Sequence, residues 1–463
     1  MTTFKIAFRN IFRNRRRSLL TVLAIAVGAV AILLFGGFIS TIFHGVETVT
    51  VQRLGHLAVY RKGYFSFGTG NPSAYGIARH GEVLELLKND PELKPMLHVA
   101  APTLALFGIA GNFAAERSRT FFGSGVEPWA LERLAAWDPY RFRLHKGVKL
   151  AEDDPDGGFI GVGLARILGF CDELAIQNCE KADDAKSAEP ADAEGRELAD
   201  LAAGEKPVDA AASADKRPRI DLLAATAGGA PNVVTLRVRE AFSMGAKELD
   251  DAYVGMHIDL AQRLLYGRGE RRATGIVIQL NATADMKRAR ERLERIFADR
   301  DLDLEVRDFT ELQPQYGQVI ALFGSIFTFL SIIMGTIVLF TVVNTMSMSV
   351  MERVNEIGTV RALGVRRAGI RRQFVAEGWV LGTIGATVGV VLAIVIAEIV
   401  NRSGLSWTPP TNASPVPLYV FLLGSPKLIA GAWIGLIVMA TLAAFVPAMR
   451  AARMLVVDAL RHV

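Results

Sequence analysis

The chain has 463 residues, of which 51% are hydrophobic and 21% are charged, and its formal net charge is +5. This composition is too apolar for a typical soluble protein and too charged for a bundle of membrane helices alone, so it indicates a membrane part joined to a water-facing part. The basic residues cluster beside apolar segments, as the positive-inside rule requires, and therefore do not indicate nucleic-acid binding. The two cysteines exclude a disulfide-dense scaffold and provide no zinc-type ligand cluster.

Residues 1–43 predict a surface helix followed by a membrane span. Over residues 1–18, apolar side chains recur at helical spacing with basic ones between them, which is typical of a cytoplasmic amphipathic helix on a membrane surface. Residues 19–43 carry no charged side chain and would extend for roughly 37 Å as a helix, enough to cross a bilayer core of about 30 Å. A cleaved signal peptide is the alternative, but its apolar core would be about 7–15 residues long and a small-residue cleavage site should follow.

Residues 44–318 contain no run long enough to cross a membrane, and strand-like and helix-like patterns alternate along them. Strands are predicted at 56–61, 98–111, 119–126 and 232–242, and helices at 80–90, 127–137 and 285–298. Residues 157–170 are predicted as a strand or turn that enters a helix. This alternation indicates one large mixed α/β domain on the far side of the membrane.

Residues 181–219 have the composition of a disordered insertion in this domain. They are rich in Ala, Asp, Glu and Lys and contain no aromatic residue, so they cannot bury enough apolar surface to offset the entropy of ordering. An acidic binding tail is the alternative, but charges of mixed sign favour a solvated spacer. Cys171 and Cys179 lie just before the insertion. In an oxidising periplasm they could form a disulfide worth roughly 2.5 kcal/mol, and two free thiols are the alternative.

Three further spans are predicted at residues 319–343, 374–400 and 428–449. Residues 401–427 between the last two form an external loop, and residues 450–463 form a cytoplasmic tail. Basic residues precede the first span, separate the second from the third and follow the fourth, which predicts that both termini are cytoplasmic and that residues 44–318 are periplasmic. The predicted fold is an α-helical membrane protein with four transmembrane helices and a large mixed α/β extracytoplasmic domain between the first and second.

The third span contains two features that the sequence leaves open. Small-residue ridges run along it at Gly378, Gly382, Gly385 and Gly389. Such ridges serve either as a face between two subunits or as close packing within one subunit. Glu377 and Glu398 lie near its two ends, where a carboxylate is either functional or simply reaches the interface or caps the helix.

Residues 350–373, between the second and third spans, predict a helix–turn–helix at the cytoplasmic membrane surface. Val350, Val354, Ile357 and Val360 recur at steps of three and four, which places them on one face of a helix. Gly364 stands where a left-handed helix cap is expected. On this pattern alone, a basic loop that only sets the topology is an equal alternative.

The same stretch resembles the signature of the permease family that includes the macrolide exporter, the lipoprotein-releasing permeases and the cell-division permease FtsX. In that family a Met-rich membrane helix runs into V-x-E-R-x-x-E-I-G, then A-L-G, a basic helix and a Glu just inside the next span. The resemblance implies that this segment couples the membrane helices to a separate ATPase, through Glu352, Arg353, Glu356, Ile357, Gly358, Arg361, Ala362, Leu363 and Gly364. An apolar helix face would be buried in a groove of the ATPase, and Glu356 with the arginines would set the register by charge.

The chain has no G-x-x-x-x-G-K-[ST] phosphate loop, so ATP and Mg²⁺ are expected on the partner and no cofactor, metal or catalytic residue is expected on this chain. The resemblance implies a permease subunit in the bacterial inner membrane that works with an ABC ATPase dimer and a second copy of itself or a related permease. The expected cargo is a lipoprotein released from the membrane or another amphiphilic substrate. The alternatives are export of a macrolide or peptide, and transmembrane signalling of the FtsX kind without a cargo.

Overall fold

The computed structural model describes residues 9, 13, 15–140, 149–176, 217–244, 247–267, 269, 271–407 and 416–454. These residues belong to two compact units. The helical unit takes the described residues up to 47, from 313 to 407 and from 416 onward. The sheet unit takes those from 48 to 312.

The first long helix, α1 (Arg15–Leu54), has 40 residues and continues well past the predicted end of the first span at Phe43. Its first part belongs to the helical unit and its last residues to the sheet unit. Gly55 ends the helix with a φ of +72°, and a Cβ at this position would lie 2.7 Å from the Ile278 carbonyl oxygen. Only glycine therefore fits this turn. Most of the predicted amphipathic helix over residues 1–18 lies outside the described residues.

The sheet unit alternates strands and helices, as the sequence predicts. Its strands are β1 (Leu57–Arg61), β2 (Leu97–Asn112), β3 (Arg117–Val126), β4 (Gly157–Gly161), β5 (Arg219–Ala225), β6 (Pro231–Phe242), β7 (Tyr253–His257), β8 (Gly275–Leu280) and β9 (Leu304–Asp308). Its helices are α2 (His80–Asn89), α3 (Pro128–Ala136), α4 (Val162–Leu168), α5 (Lys247–Asp250), α6 (Ile258–Tyr266), α7 (Met286–Asp299) and α8 (Phe309–Leu312). The prediction of a mixed α/β domain between the first two apolar helices is confirmed.

The nine strands form one sheet in the order β3-β7-β4-β6-β5-β2-β8-β1-β9, and an additional pairing joins β3 to β2. Six of the strands therefore close into a ring, and β8, β1 and β9 extend from it. The long strand β2 makes this possible because Leu97–Thr103 pairs with β8 while Thr103–Asn112 pairs with β3. Sequence patterns do not reveal this closure, since one strand serves two parts of the sheet.

Apolar cores fill both parts of the sheet unit. Ile160, Leu164 and Leu236 belong to the core of the closed ring and are fully buried. Leu57 and Ile278 belong to the core around the extension and are also fully buried. Residues 181–216 of the predicted insertion lie outside the described residues, whereas residues 217–219 lead directly into β5.

A buried histidine joins the turn after α1 to the sheet. His56 is fully buried, its Nδ1 accepts a hydrogen bond from the Leu280 backbone N–H at 3.0 Å, and its Nε2 lies 3.1 Å from the Thr283 hydroxyl. The Trp137 ring packs edge-on against the imidazole at 4.9 Å between centroids. Burial, with a smaller contribution from His98, lowers the pKa of His56 to about 4, so the side chain is neutral at physiological pH.

The helical unit is completed by α9 (Pro314–Glu352), α10 (Val354–Ala362), α11 (Arg367–Arg402) and α12 (Pro426–Arg453), with a short pairing of β10 (Ser406–Trp407) and β11 (Val416–Pro417). The helices α1, α9, α11 and α12 are long and apolar enough to cross a membrane. The predicted fold class is therefore confirmed. The helix α9 is longer at both ends than the predicted span of 319–343. Neither flank contains a residue that would end the helix, so it begins at Pro314 and continues to Glu352.

The glycine ridges of α11 serve packing within one chain. A Cβ added at any of four glycines would come within 3.0 Å of a side chain on a neighbouring helix, at the pairs Gly378–Ala444, Gly382–Ala440, Gly385–Ile25 and Gly389–Ala29. The first two pairs bring α11 against α12, and the other two bring it against α1. Of the two interpretations that the sequence left open, close packing within the subunit is the one these contacts satisfy.

Candidate functional site

The segment between α9 and α11 folds as the predicted helix–turn–helix. Arg353 breaks the helix after Glu352, with φ −108° and ψ 16°, and α10 follows directly. Gly364 has a φ of +90° and is the left-handed cap that the sequence predicts. Its N–H donates to the Arg361 carbonyl at 3.0 Å and the next N–H, of Val365, donates to the Val360 carbonyl at 3.3 Å. This pair of bonds is the Schellman motif, which ends α10 sharply.

The apolar face of this segment is buried within the chain itself. Val350, Val354 and Ile357 are 3–5% exposed. Val350 and Ile357 share a core with Phe374 of α11 and with alanines near the end of α12. The expectation that this face would be buried in a groove of a partner is therefore wrong for these three residues, whereas Val360, the fourth residue of the face, is 37% exposed. Helical periodicity identified the face correctly but could not tell which neighbour would cover it.

Arg353 and Glu377 form a buried ion pair. The Arg353 Nη1 donates to Glu377 Oε1 at 3.0 Å and to Oε2 at 3.3 Å. The two side chains are 7% and 4% exposed. Burying two charges is costly, and mutual attraction offsets the cost only when the geometry is good, so removing either partner is strongly destabilising. Arg353 therefore holds the end of α9 against α11 and does not lie on an exposed surface.

Arg361 holds α10 against the end of α12. Its Nη1 donates to the Met454 carbonyl and, at 3.4 Å, to the Ala452 carbonyl. The last carbonyls of a helix have no partner within the helix and carry the negative end of its dipole. The guanidinium satisfies both requirements, which gives Arg361 a structural role.

Two exposed ion pairs connect the segment to Arg17 at the start of α1 and to Arg13 just before it. Glu352 pairs with Arg17, and Glu356 pairs with Arg13. The four side chains are between 30% and 57% exposed, so solvent screens these pairs and each contributes little to stability. Gly358 is buried beside Ile357, on the covered face of α10.

What remains exposed is an apolar turn, which we call the tip and define as Val360, Ala362, Leu363, Gly364 and Val365. Leu363 is 81% exposed, and Val360 and Val365 are 37% and 41% exposed. Exposed basic residues follow the tip at Arg366, Arg367, Arg371 and Arg372. An exposed leucine between two exposed valines, held on a packed base and followed by cations, is typical of a protein-binding surface.

The described residues contain no group of three or more His, Cys, Asp or Glu side chains that could hold a metal ion. The arrangement around the tip also lacks paired titratable groups of the kind that acid–base chemistry needs, within the part of the chain that the structure describes. Cys171 lies in the turn after α4, and Cys179 lies outside the described residues, so the Cys171–Cys179 disulfide stays a prediction.

Sequence reasoning missed the partner of Arg353. Glu377 lies 24 positions further along the chain, and the sequence suggested only that it reaches the interface or caps a helix. A signal was present, because an acidic residue inside an apolar span requires a partner and Arg353 follows the preceding span in the sequence.

Comparison with known proteins shows that part of this chain is similar to a family of permeases. Residues 328–456 match the model for the FtsX-like permease C-terminal domain. The uncharacterized ABC transporter permease MJ1507 of Methanocaldococcus jannaschii is 27% identical over 155 residues, which is 33% of this chain and 38% of that protein. The macrolide export ATP-binding/permease protein MacB of Nitrobacter winogradskyi is 34% identical over 119 residues, which is 26% of this chain and 16% of that protein. The matches thus span well under two thirds of either relative's length.

Among solved structures, the periplasmic region of MacB from Actinobacillus actinomycetemcomitans aligns with 57% of this chain and 94% of that structure, at 12% identity and a TM-score of 0.31. The matched family model covers α10, α11 and α12 almost completely, together with most of α9.

Proposed function

We propose that this chain, which carries an FtsX-like permease domain over residues 328–456, is the membrane subunit of an ABC transporter and docks on a separate ATPase through the tip. The matched relatives are described as ABC transporter permeases or as a fused ATP-binding and permease protein, which supports a partnership with an ATPase. In this proposal the tip and both termini face the cytoplasm, the sheet unit faces the periplasm, and the helical unit lies in the inner membrane. ATP and Mg²⁺ are bound by the ATPase.

The observation that carries the proposal is the exposure of Leu363 on a packed base. An isolated exposed leucine would be unremarkable, but this one stands at a sharp turn fixed by Gly364, between two other exposed apolar side chains. Binding energy at protein interfaces is concentrated in a few such anchors that fill a pocket of the partner. Glu356, which pairs with Arg13 and is 54% exposed on its side chain, is proposed to contact charges of the partner as well.

A second copy or a related permease is proposed to cover part of α9. A stripe of apolar side chains that are 38–66% exposed runs along this helix at Leu322, Ile326, Phe329, Ile332, Ile337 and Phe340. The glycine ridges of α11 are occupied within the subunit, so they are not available for this contact. Either lipid or another subunit can cover the stripe, and disulfide cross-linking of a Phe329→Cys variant distinguishes them, since lipid cannot give a cross-linked dimer.

The cargo is proposed to be an amphiphile, and lipoprotein release from the inner membrane is the specific case expected from the sequence. Depletion of the protein, followed by quantitation of lipoproteins in separated inner and outer membranes, tests that case. Accumulation of outer-membrane lipoproteins in the inner membrane supports it. An unchanged distribution removes it, and ATP-dependent efflux of drugs or peptides is then the assay to perform. Absence of both activities would favour the FtsX-like signalling alternative.

Docking is tested by placing a photo-cross-linking amino acid at Leu363 in the full chain, in native membranes, and identifying the attached protein by mass spectrometry. We expect a protein with a phosphate-binding loop of the ATPase type. The same amino acid at Val233, which is 41% exposed in the sheet unit, is the control and should not capture that protein.

A charge at the tip provides the quantitative test. A Leu363→Glu substitution should reduce the amount of co-purifying ATPase by about 30-fold, since a hot-spot side chain contributes about 2 kcal/mol to binding. Leu405→Glu is the matched control because Leu405 is 55% exposed and follows α11 at its other end. Equal recovery of the ATPase with Leu363→Glu and with the unaltered chain would refute the assignment of the tip.

A further inference from the structure

We propose that the sheet unit holds a binding site for the aliphatic chain of an amphiphile, in a cavity that none of the sequence motifs indicated. The cavity has a volume of ≈ 330 Å³ and is lined by the last residues of α1, by α3 and by strands from both parts of the sheet. The inference builds on the proposed transport of an amphiphile, because it names where the apolar part of such a molecule would lie.

The wall of the cavity is largely aromatic and aliphatic. Tyr60, Tyr64, Phe159, Phe242 and Tyr253 contribute rings to it. Tyr60 and Tyr64 are stacked with centroids 5.0 Å apart, and Phe159 lies between Tyr253 at 6.0 Å and Phe242 at 6.4 Å. Burial raises the pKa of the Tyr60 and Tyr253 phenols, as expected in apolar surroundings.

Several polar groups of the wall are hydrogen-bonded to neighbouring protein atoms. The Ser124 hydroxyl and the Tyr253 hydroxyl are hydrogen-bonded at 2.6 Å. Gln52 Nε2 donates to the Ala135 and Trp137 carbonyls at 3.0 and 2.8 Å. A buried water needs several free polar partners, so this wall favours an apolar occupant over a water cluster.

Arg53 supplies the only charged side chain among the described residues that line the cavity. The residue is exposed, so its guanidinium reaches water while the rest of the wall is apolar. An apolar interior with one cation at its edge fits a molecule with an aliphatic chain and an anionic head. This combination does not suit a neutral, many-ringed compound equally well.

The volume of the cavity agrees with the size of an aliphatic chain. A methylene group occupies about as much space as a water molecule, whose share of the liquid is about 30 Å³, so the cavity holds roughly ten methylene groups. An apolar cavity of about half this size, roughly 150 Å³, is already large enough to bind benzene. A longer chain, such as that of palmitic acid, would place about ten of its carbons in the cavity and the others outside it.

The test uses the full chain in lipid nanodiscs and two photo-reactive probes. One probe is palmitic acid with a diazirine in its chain, and the other is a phosphatidylglycerol with the same reactive chain. After illumination, digestion and mass spectrometry, labelling is expected in peptides that contain Leu131 and Met244, both of which line the cavity. Excess unlabelled palmitate should abolish this labelling by the fatty-acid probe and leave that of the membrane helices, since only a site is saturable.

Variants that fill the cavity test its role directly. Each methylene contributes about fourfold to the affinity of an apolar chain, so a Trp that excludes two of them should reduce labelling by about fifteenfold. Leu131→Trp and Met244→Trp are the test variants. Val233→Trp is the matched control, since Val233 is an exposed residue of the same unit that does not line the cavity. An Arg53→Gln change should weaken labelling by the fatty acid and not by the corresponding fatty alcohol.

Labelling by the fatty acid alone identifies a free acid as the ligand source, and labelling by the phospholipid identifies a membrane lipid. Either result supports the proposal. Labelling by the fatty-acid probe that excess palmitate does not reduce, or labelling by either probe that both cavity-filling variants leave unchanged while folded, would overturn it. The assay contains no ATPase, so its failure leaves the docking proposal intact. Conversely, loss of ATPase capture at Leu363 would not affect this result.

Discussion

Replacing Glu377 by Gln removes the carboxylate that Arg353 contacts at 3.0 Å in the interior of the helical unit. Loss of one partner from a buried ion pair costs about 3–5 kcal/mol, because the remaining charge keeps its desolvation penalty without the attraction that offset it. At 7% and 4% exposure, neither side chain can recover this loss by turning into water. We therefore expect a destabilisation of about 3 kcal/mol, which lowers the ratio of folded to unfolded protein more than a hundredfold.

Two further variants test whether the loss of stability comes from the buried ion pair or would follow from any substitution in this region. The double variant Arg353→Met with Glu377→Leu should recover most of the lost stability, because replacing a buried pair by apolar side chains of similar size is often neutral or stabilising. Glu352→Gln removes the exposed pair with Arg17 and should cost less than about 1 kcal/mol.

The measurement is unfolding of the full chain in nanodiscs, followed by tryptophan fluorescence as denaturant is raised. Four proteins are compared, namely the unaltered chain, Glu377→Gln, the double variant and Glu352→Gln. If Glu377→Gln unfolds at the same denaturant concentration as the unaltered chain, or if the double variant is no better than the single one, then the buried pair does not have the role assigned to it.

Three other perturbations give defined outcomes. Gly364→Ala should destabilise the turn by about 1–2 kcal/mol through its φ of +90° alone, since nothing lies within 4 Å of a Cβ there, and hydrogen exchange around the tip should rise. Gly378→Val should disrupt packing against Ala444 and lower the unfolding midpoint, whereas Gly431→Val, with open space at its Cβ, should not. His56 has a folded pKa of about 4, below its unfolded value of about 6.5, so unfolded chains take up the proton first and stability falls as pH drops between these values. From pH 7 to pH 5 the loss should be about 2 kcal/mol in the unaltered chain and should disappear in His56→Gln, as measured by unfolding at each pH.

Much of the architecture followed from patterns that are local in the chain. Uninterrupted apolar runs predicted the four long helices, although the helices continue beyond the predicted ends of the apolar runs. In the sheet unit, the predicted strand at 98–111 and helix at 285–298 agree closely with β2 and α7. An element that buries only one face keeps the regular spacing of apolar and polar residues from which it was predicted.

The parts that could not be predicted depend on contacts between distant residues. Closure of the sheet into a ring requires β2 to pair with β3 and β8 at different points along its length, and no local pattern encodes this. The cavity in the sheet unit is also hidden, since its aromatic residues come from separate strands and each of them alone resembles an ordinary core residue.

The segment between α9 and α11 shows why a correct periodicity led to a wrong expectation about which neighbour covers the apolar face. The face of Val350, Val354 and Ile357 has the spacing of a docking surface, yet it is the base by which the segment is attached to its own helices. If the segment were attached flexibly, a displacement of Leu363 would not move the long helices. Instead, its base is held by packing, by the Arg353–Glu377 pair and by the hydrogen bonds of Arg361 to the end of α12. Displacing the tip therefore requires α9, α11 and α12 to move with it, because breaking the base would cost several kcal/mol. We infer that the buried contacts transmit a displacement of the tip to these helices, and that the apolar part of recognition is carried by the exposed turn.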